Sequence, residues 1–399
     1  MLKGMNNQSV RMFNSKLIIR LLFQYKQLSK SRLSHLLELS IPAISKILLF
    51  LEEKGWVEHV QTKHTGRGNS SGVYQISHKS SPIICLHVTP TTISALVVNG
   101  KMELILDRWE REVSPAVPEE LVQSVIDVYR HCVKEANVGK LKIALSLHGQ
   151  VDIHAGTSMF MPQAPWNTPI DFKYILEEQL GTDVTVDNDC VMLALAEKWI
   201  NPDHARDFCV INVDYGIGSS FLIDDQIFRG VLYGSGQIGH SIIDQDGKKC
   251  GCGRYGCLET VASTKAMLAD IRKQTKNRLF YEQYYLDEFE FEQCAQLYLQ
   301  NDPLVCRFCN KAASTLGISI YNFLVTMSVN DIVIYGEASK LGEHWLRVIK
   351  DQAHYNPFEG NVISVKEQKS SIRFGELSET QLLQGIGYLF IEKMLIAFN

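Results

Sequence analysis

Residues 239–259 read GHSIIDQDGKKCGCGRYGCLE, with one histidine and three cysteines inside 18 residues at the spacing H-x9-C-x-C-x4-C. No other stretch constrains the fold so strongly, because four potential ligands this close in sequence can be made to converge on a single point. Gly251, Gly253 and Gly256 supply the backbone freedom that so short a loop needs. The spacing alone leaves three readings open: a metal that does chemistry, a metal that holds a loop in shape, and a cluster of buried thiols.

Compartment bears on the choice. The N-terminal run MLKGMNNQSVRMFN lacks the continuous apolar core of a signal peptide, and no apolar run in the 399 residues is long enough to span a bilayer. A cytoplasmic location with no membrane insertion is expected, and disulfides are rare there. Cys85, Cys132, Cys190, Cys209 and Cys294 stand alone and read as small core residues. Cys306 and Cys309 form a C-x-x-C that reads as the half-buried face of a helix.

Charge divides the chain. Residues 1–80 carry 12 Lys+Arg against 4 Asp+Glu and contain no aspartate, a balance of +8; the remainder carries 28 against 40, or −12. A basic end on an acidic body points to a polyanion as the partner of that end alone. At 45.2 kDa the chain is also too long for one ordinary core. Two or three domains are therefore expected, the first of them the basic segment over residues 1–80.

In the basic end, SKLIIRLLFQYKQ (15–27) places Leu17, Ile18, Leu21 and Leu22 on one helical face. Ser29 or Ser31 can cap a helix running to about Leu39. Ser40 can cap the next, with Pro42 in its first turn and Gly55 as its left-handed end. Ile44, Ile47, Leu48 and Leu51 would face inward. Two short helices joined by about three residues are a helix-turn-helix, whose second helix enters the major groove of double-stranded DNA. Ser40, Ala43, Ser45 and Lys46 form its outward face. WVEHVQTKHTGRGNSSGVYQIS then reads as two strands around a Gly/Ser-rich tip carrying Lys63 and Arg67, a basic wing able to reach phosphates. The glycines and serines of Thr62–Gly72 also suggest a pliable join between head and body.

The body reads as α/β. SSPIICLHVTPTTISALVVNGKMELILDRWEREV predicts a three-strand meander, PEELVQSVIDVYRHCVKEA a helix and LKIALSLHG a buried strand. DFCVINVDYGIGSSFLIDDQIFRG then partly repeats the opening, and DIVIYGEAS is a further buried strand. Two halves that each open on strand–turn–strand predict a bilobal fold with a ligand cleft.

GQIGHSIIDQDGKKCGCGRYGCLETVAS resembles the signature of the ROK family (repressors, open reading frames and kinases). VDNDCVMLALAE (186–197) and VDYGIGSSF (213–221) fall at that family's spacings. An asparagine-containing start, a helix-turn-helix and a Gly-Arg-Gly run resemble the family's sugar-responsive repressors. The resemblance implies a winged helix-turn-helix followed by a two-lobed actin-like, ribonuclease H-like sugar-kinase body, assembled as a homodimer or homotetramer: 1–80 as the DNA-binding domain with linker, 81–198 as a first lobe completed by a C-terminal helix over 380–399, and 199–379 as a second lobe. With it the metal question closes: His240, Cys250, Cys252 and Cys257 fill all four places around a tetrahedral zinc, leaving no position for a reactive water. One structural zinc per chain is expected, and the loop runs directly into Glu259.

The resemblance also implies effector residues. Asn188-Asp189 matches the pair whose aspartate is the base in ROK kinases, and His240 and Glu259 match further sugar ligands. A family glutamate is replaced by Gln237. Bottom-up, Asn188 also reads as a turn and N-cap. The kinases' Asp-x-Gly-Gly-Thr phosphate turn reads His87-Val88-Thr89-Pro90-Thr91 here, in which Pro90 has no N–H to donate. Gly216 and Gly218 remain of a second turn, and the adenosine-site glycine pair reads Tyr335-Gly336-Glu337. These losses predict no catalysis, with Asp189 as a vestigial base. The expected effector is a sugar or sugar phosphate; a phosphotransferase-system protein is an alternative partner, and an active kinase with an added head an alternative function.

Overall fold

The computed structural model describes residues 7–61, 72–77, 81–201, 205–230, 236–275, 289–353 and 370–396. The chain forms two compact units, residues 1–202 with 377–399, and 203–376.

The first unit begins with α1 (Asn7–Tyr25), β1 (Leu28–Ser29), α2 (Lys30–Leu37) and α3 (Ile41–Glu53), followed by β2 (Val57–Val60) and β3 (Val73–Ile76). Ser29 caps α2 by accepting the Arg32 N–H, and Ser40 caps α3 by accepting the Ala43 N–H at 3.4 Å. Pro42 sits in the first turn of α3, where a missing N–H costs nothing. Helix α2 stops earlier than expected, at Leu37, because Glu38 turns left-handed at φ 53°. The chain bends by 112° between α2 and α3. Ile44, Ile47, Leu48 and Leu51 are buried, as their spacing requires, and Gly55 adopts φ +73°. Strands β1, β3 and β2 form an antiparallel sheet in that order.

That sheet corrects one expectation. Because β2 and β3 pair antiparallel from Val57↔Ile76 to Val60↔Val73, the chain between them returns to the sheet it left. The segment Thr62–Gly72, of which residues 62–71 lie outside the described residues, therefore connects two strands of one sheet and does not join head to body; the chain leaves this sheet only after Ile76. Lys63 and Arg67 lie outside the described residues.

The unit continues with β4 (Ile83–Val88), β5 (Thr92–Val98), β6 (Leu104–Glu112), α4 (Pro118–Glu135), β7 (Lys142–Leu147), β8 (Gln150–Asp152), β9 (Thr157–Phe160), α5 (Phe172–Leu180), β10 (Val184–Asn188) and α6 (Asp189–Ile200). Its sheet runs β10-β7-β4-β5-β6, with β10, β7 and β4 parallel and β4-β5-β6 an antiparallel meander. Leu121, Val125, Val128 and Cys132 of α4 and Phe172 and Leu176 of α5 are buried with Ile84, Leu86 and Leu145 of the sheet.

The second unit holds β11 (Phe208–Val213), β12 (Ile217–Ile223), β13 (Gln226–Ile227), α7 (Glu259–Ala262), α8 (Thr264–Thr275), α9 (Phe291–Leu299), α10 (Pro303–Met327), β14 (Asp331–Tyr335), α11 (Gly342–Ala353) and β15 (Ser371–Phe374). Its sheet runs β13-β12-β11-β14-β15, again with the first three strands antiparallel and the rest parallel to the first. Both units therefore have the strand order third-second-first-fourth-fifth, the repeat that the sequence shows in part. Trp345 is fully buried and donates Nε1–H to the Cys309 carbonyl at 3.0 Å. Cys309 is buried with Cys294, sulfur to sulfur 3.8 Å, while Cys306 is half-buried. The lone cysteines Cys85, Cys132, Cys190, Cys209 and Cys294 are all buried.

Helix α12 (Glu379–Ile396) returns to the first unit and packs on α6, β4 and β5. Among the described residues no single helix is long and apolar enough to cross a membrane.

Candidate functional site

In the second unit, one ligand atom from each of His240, Cys250, Cys252 and Cys257 lies within 4.8 Å of the others. His240 ends a single 3₁₀ turn (Ile238–His240) held against β12. There the Ser219 N–H donates to the Gly236 carbonyl at 2.9 Å. A Cβ at Gly239 would stand 2.2 Å from the Ile217 carbonyl oxygen, so only glycine allows this approach. The cysteines lie on a loop closed by Cys250 N–H to Arg254 O at 2.7 Å and Gly256 N–H to Lys248 O at 2.9 Å. Gly256 takes φ +70°, and a Cβ there would collide with the Asp244 carbonyl oxygen at 1.5 Å.

The donor set fits zinc. Two sulfurs about 2.3 Å from one ion at the tetrahedral angle stand roughly 3.8 Å apart, and a sulfur and an imidazole nitrogen somewhat less. Cys252 and Cys257 sulfurs are 3.7 Å apart, and Cys250 Sγ is 3.6 Å from His240 Nδ1. Burial and then the neighbouring thiols push Cys257 up to about 12; burial raises Cys250 as well. The Arg254 backbone N–H and the other thiols lower Cys252. A cation is what would bring all three into the thiolate form.

Glu259 opens α7 directly beyond this loop. Its Oε2 accepts the Ile217 N–H at 3.2 Å and its Oε1 lies 3.8 Å from Cys250 Sγ. A Cβ at Gly216 would stand 2.9 Å from Oε2, so the β11–β12 turn and the cysteine loop meet on one carboxylate. Gln237 is exposed at the start of the 3₁₀ turn, and its carbonyl accepts the His240 N–H at 3.0 Å.

In the first unit, the parallel strands β4, β7 and β10 end at one edge, in the register His87↔Ser146 and Asp187↔Ser146. Ligands of open α/β sheets collect at such carboxyl ends. Asn188 caps α6, its Oδ1 accepting the Val191 N–H at 2.9 Å, so the capping role holds. Asp189 follows as the first helical residue. Its Oδ2 is 2.8 Å from His148 Nδ1, and its Oδ1 accepts the Cys190 N–H at 2.8 Å. Burial disfavours the Asp189 charge, but the hydrogen bond and charge of His148, with His87 behind it, hold the carboxyl below its ordinary value. His87 lies 3.1 Å through Nδ1 from Ser146 Oγ, and burial lowers its pKa. Sequence reasoning did not single out His148; the available signal was a histidine in the turn after a buried strand.

The turn His87–Thr91 is closed on itself. Thr89 Oγ1 accepts the N–H groups of Thr91 and Thr92, at 3.2 and 2.9 Å, and the Thr89 N–H donates to the Thr92 carbonyl. A phosphate cradle presents such amides to its ligand; here a side chain already holds them.

On α3, Ser40 and Lys46 are exposed and Ala43 and Ser45 half-buried. Ser40 accepts one N–H in the cap, which leaves its hydroxyl proton and a second lone pair.

Two mixed α/β units of one topology, one of them bearing a loop that gathers a histidine and three cysteines, define a sugar-kinase-like protein. The chain belongs to the ROK family, whose model matches residues 83–373. It is 43% identical to the uncharacterized protein YphH of Escherichia coli, over 98% of both chains. It is 24% identical to the xylose repressor of Caldicellulosiruptor bescii, over 92% of this chain and 94% of that one. Among solved structures it is similar to a ROK family transcriptional regulator described as a homologue of the E. coli MLC protein. That match has a TM-score of 0.79 and 20% identity, over 98% of each chain.

Proposed function

We propose that this protein is a DNA-binding transcriptional regulator, a repressor of carbohydrate genes, whose kinase-like body senses a sugar or sugar phosphate without catalysis. The observation that carries it is the head: two capped helices turning through 112° and followed by a paired hairpin, on a segment of charge +8. We read it as a winged helix-turn-helix, with α3 as the recognition helix. Lys46 reaches phosphate, and Ser40, Ala43 and Ser45 allow close approach to bases. Lys63 and Arg67 are assigned to the wing by sequence alone. The similarity to a xylose repressor along nearly the whole chain supports the same reading.

The effector role is assigned to Asn188, Asp189, Gln237, His240 and Glu259. His240 directs Nδ1 at the thiols, which leaves Nε2 for a second partner. Zinc would be held by His240, Cys250, Cys252 and Cys257 and would fix the loop that carries Glu259. A homodimer or homotetramer would bring two heads to a two-fold operator.

The experiment is selection of genomic fragments by the full-length protein, followed by mobility shifts. A fragment bound at least about 10³-fold tighter than random duplex is expected, with affinity falling steeply with salt. Lys46→Glu should abolish the shift while leaving the fold intact. No enrichment, or a shift unchanged in Lys46→Glu, would refute the head assignment.

A further inference from the structure

Helix α6 has a candidate effector residue at one end and the DNA head at the other. It starts at the Asn188 cap and Asp189, and every side chain from Cys190 to Lys198 is buried. At its far end the Trp199 ring stacks on Tyr388 of α12, centroids 5.2 Å apart and planes 1° from parallel. Trp199 Nε1–H donates to Glu392 Oε1 at 2.9 Å, and Lys198 Nζ donates to the same oxygen at 2.6 Å. The Lys198 side chain is 3% exposed and that of Glu392 17%, so a buried lysine and an indole share one half-buried carboxylate.

The third ring comes from the head. Phe23 of α1 stands edge-on to Trp199 at 5.6 Å and to Tyr388 at 6.3 Å. Edge-to-face pairs of this kind hold their partners in a set geometry beyond what buried area alone would do. Lys16, two turns earlier on α1, is held below its ordinary pKa by burial and by Arg20, while Glu392 pulls it back up. Helix α1 is equally a head element, packing on α3, β1 and β3.

Two further observations turn this seam from glue into a lever. Helices α6 and α12 are locked together: a Cβ at Gly385 would stand 2.3 Å from the Met192 carbonyl oxygen and 2.8 Å from Ala196 Cβ. Helix α6 therefore cannot slide without carrying α12 and both stacked rings with it. Beside Phe23, in contrast, the packing is open. A crevice of about 100 Å³ is lined by Leu22, Phe23, Gln27, Gln75, Lys101 and Glu103. Near it Glu58 of the wing strand β2 reaches Lys101 Nζ of the body at 3.8 Å, a long ion pair that can stretch. A tight pivot next to an unfilled space permits rocking.

We propose that Trp199 is the positioning residue through which α6 sets the attitude of the DNA head. A ligand that engages Asp189 displaces the first turn of α6, and the Trp199–Tyr388–Phe23 seam carries that displacement to α1. The proposal deepens the regulator reading and rests on its assignment of Asp189 to the effector.

The test is a double-mutant cycle in the full-length protein, read by hydrogen exchange of the α1 amides. Asp189→Ala breaks the His148 bond at the remote end of α6 and should speed α1 exchange by about five-fold or more, the low end of ordinary allosteric coupling. In a Trp199→Ala background the same substitution should leave α1 exchange where that background put it. Trp199→Phe, which keeps a ring to stack, should restore the response. Should Trp199→Ala fail to fold, Phe23→Leu removes the head's ring and takes its place in the cycle. An Asp189→Ala effect of equal size with and without the seam, or no effect in the wild type, would overturn the proposal. Neither sugar nor operator enters the measurement, so its failure leaves the DNA-binding reading standing, and failure to recover an operator leaves the seam untouched.

Discussion

Asp189 has donors on both carboxylate oxygens, His148 on one and the Cys190 N–H on the other. These two bonds fix the orientation of the carboxylate and leave further lone pairs open, since an ionised carboxylate offers about four acceptor sites. The sequence shows the Asn-Asp pair but not its histidine partner, because His148 is 41 residues away and meets it only through the β7–β10 pairing. Cys250, Cys252 and Cys257 present the opposite case. Their spacing and glycines are local, so the convergence with His240 is legible in the sequence itself. Metal analysis should find one zinc per chain. Cys252→Ser should lose the zinc together with several degrees of melting temperature, since a site built from a preformed loop returns binding energy to the fold. A zinc-free Cys252→Ser protein that melts like the wild type would remove the metal from the architecture.

At the scale of elements, caps and periodicity located α2 and α3, whereas in α1 the buried face is Ile18, Ile19, Leu22 and Phe23, with the expected Leu17 and Leu21 only half-buried. Ser29, Ser40, Pro42 and Gly55 mark α2 and α3 to within two or three residues. What they could not show is which strands pair. The Gly/Ser run after β2 satisfies a linker and a hairpin tip equally well in composition, and only the Val57↔Ile76 register decides for the hairpin. The β4–β5 turn teaches a related lesson. Pro90 and the missing glycines are visible in the sequence, but the Thr89 hydroxyl that consumes the Thr91 and Thr92 amides is not. Amides already bonded to a side chain support the proposed non-catalytic body. The purified protein should therefore release no ADP from ATP with any monosaccharide, and ATP should not raise its melting temperature. Sugar-dependent ADP release that vanishes in Asp189→Ala would restore kinase activity to the account.

For the whole molecule, the repeat was visible as two strand–turn–strand openings, while the identical third-second-first-fourth-fifth order emerged only from the pairings. The division of charge, +8 over residues 1–80 against −12 beyond, is what the proposed regulator would need to meet a polyanion with its head and a different ligand with its body. A regulator built this way must convert sugar binding into a change of DNA affinity. The most direct measurement is the dissociation constant for the selected genomic fragment, titrated without and with a panel of pentoses, hexoses, amino sugars and their phosphates. One sugar class should shift it by about 5- to 150-fold, the range of coupling between distinct sites in one protein, and Asp189→Ala should remove the shift. Fragment affinity that is the same with every sugar, or a shift that survives Asp189→Ala in full, would contradict a sugar-sensing body.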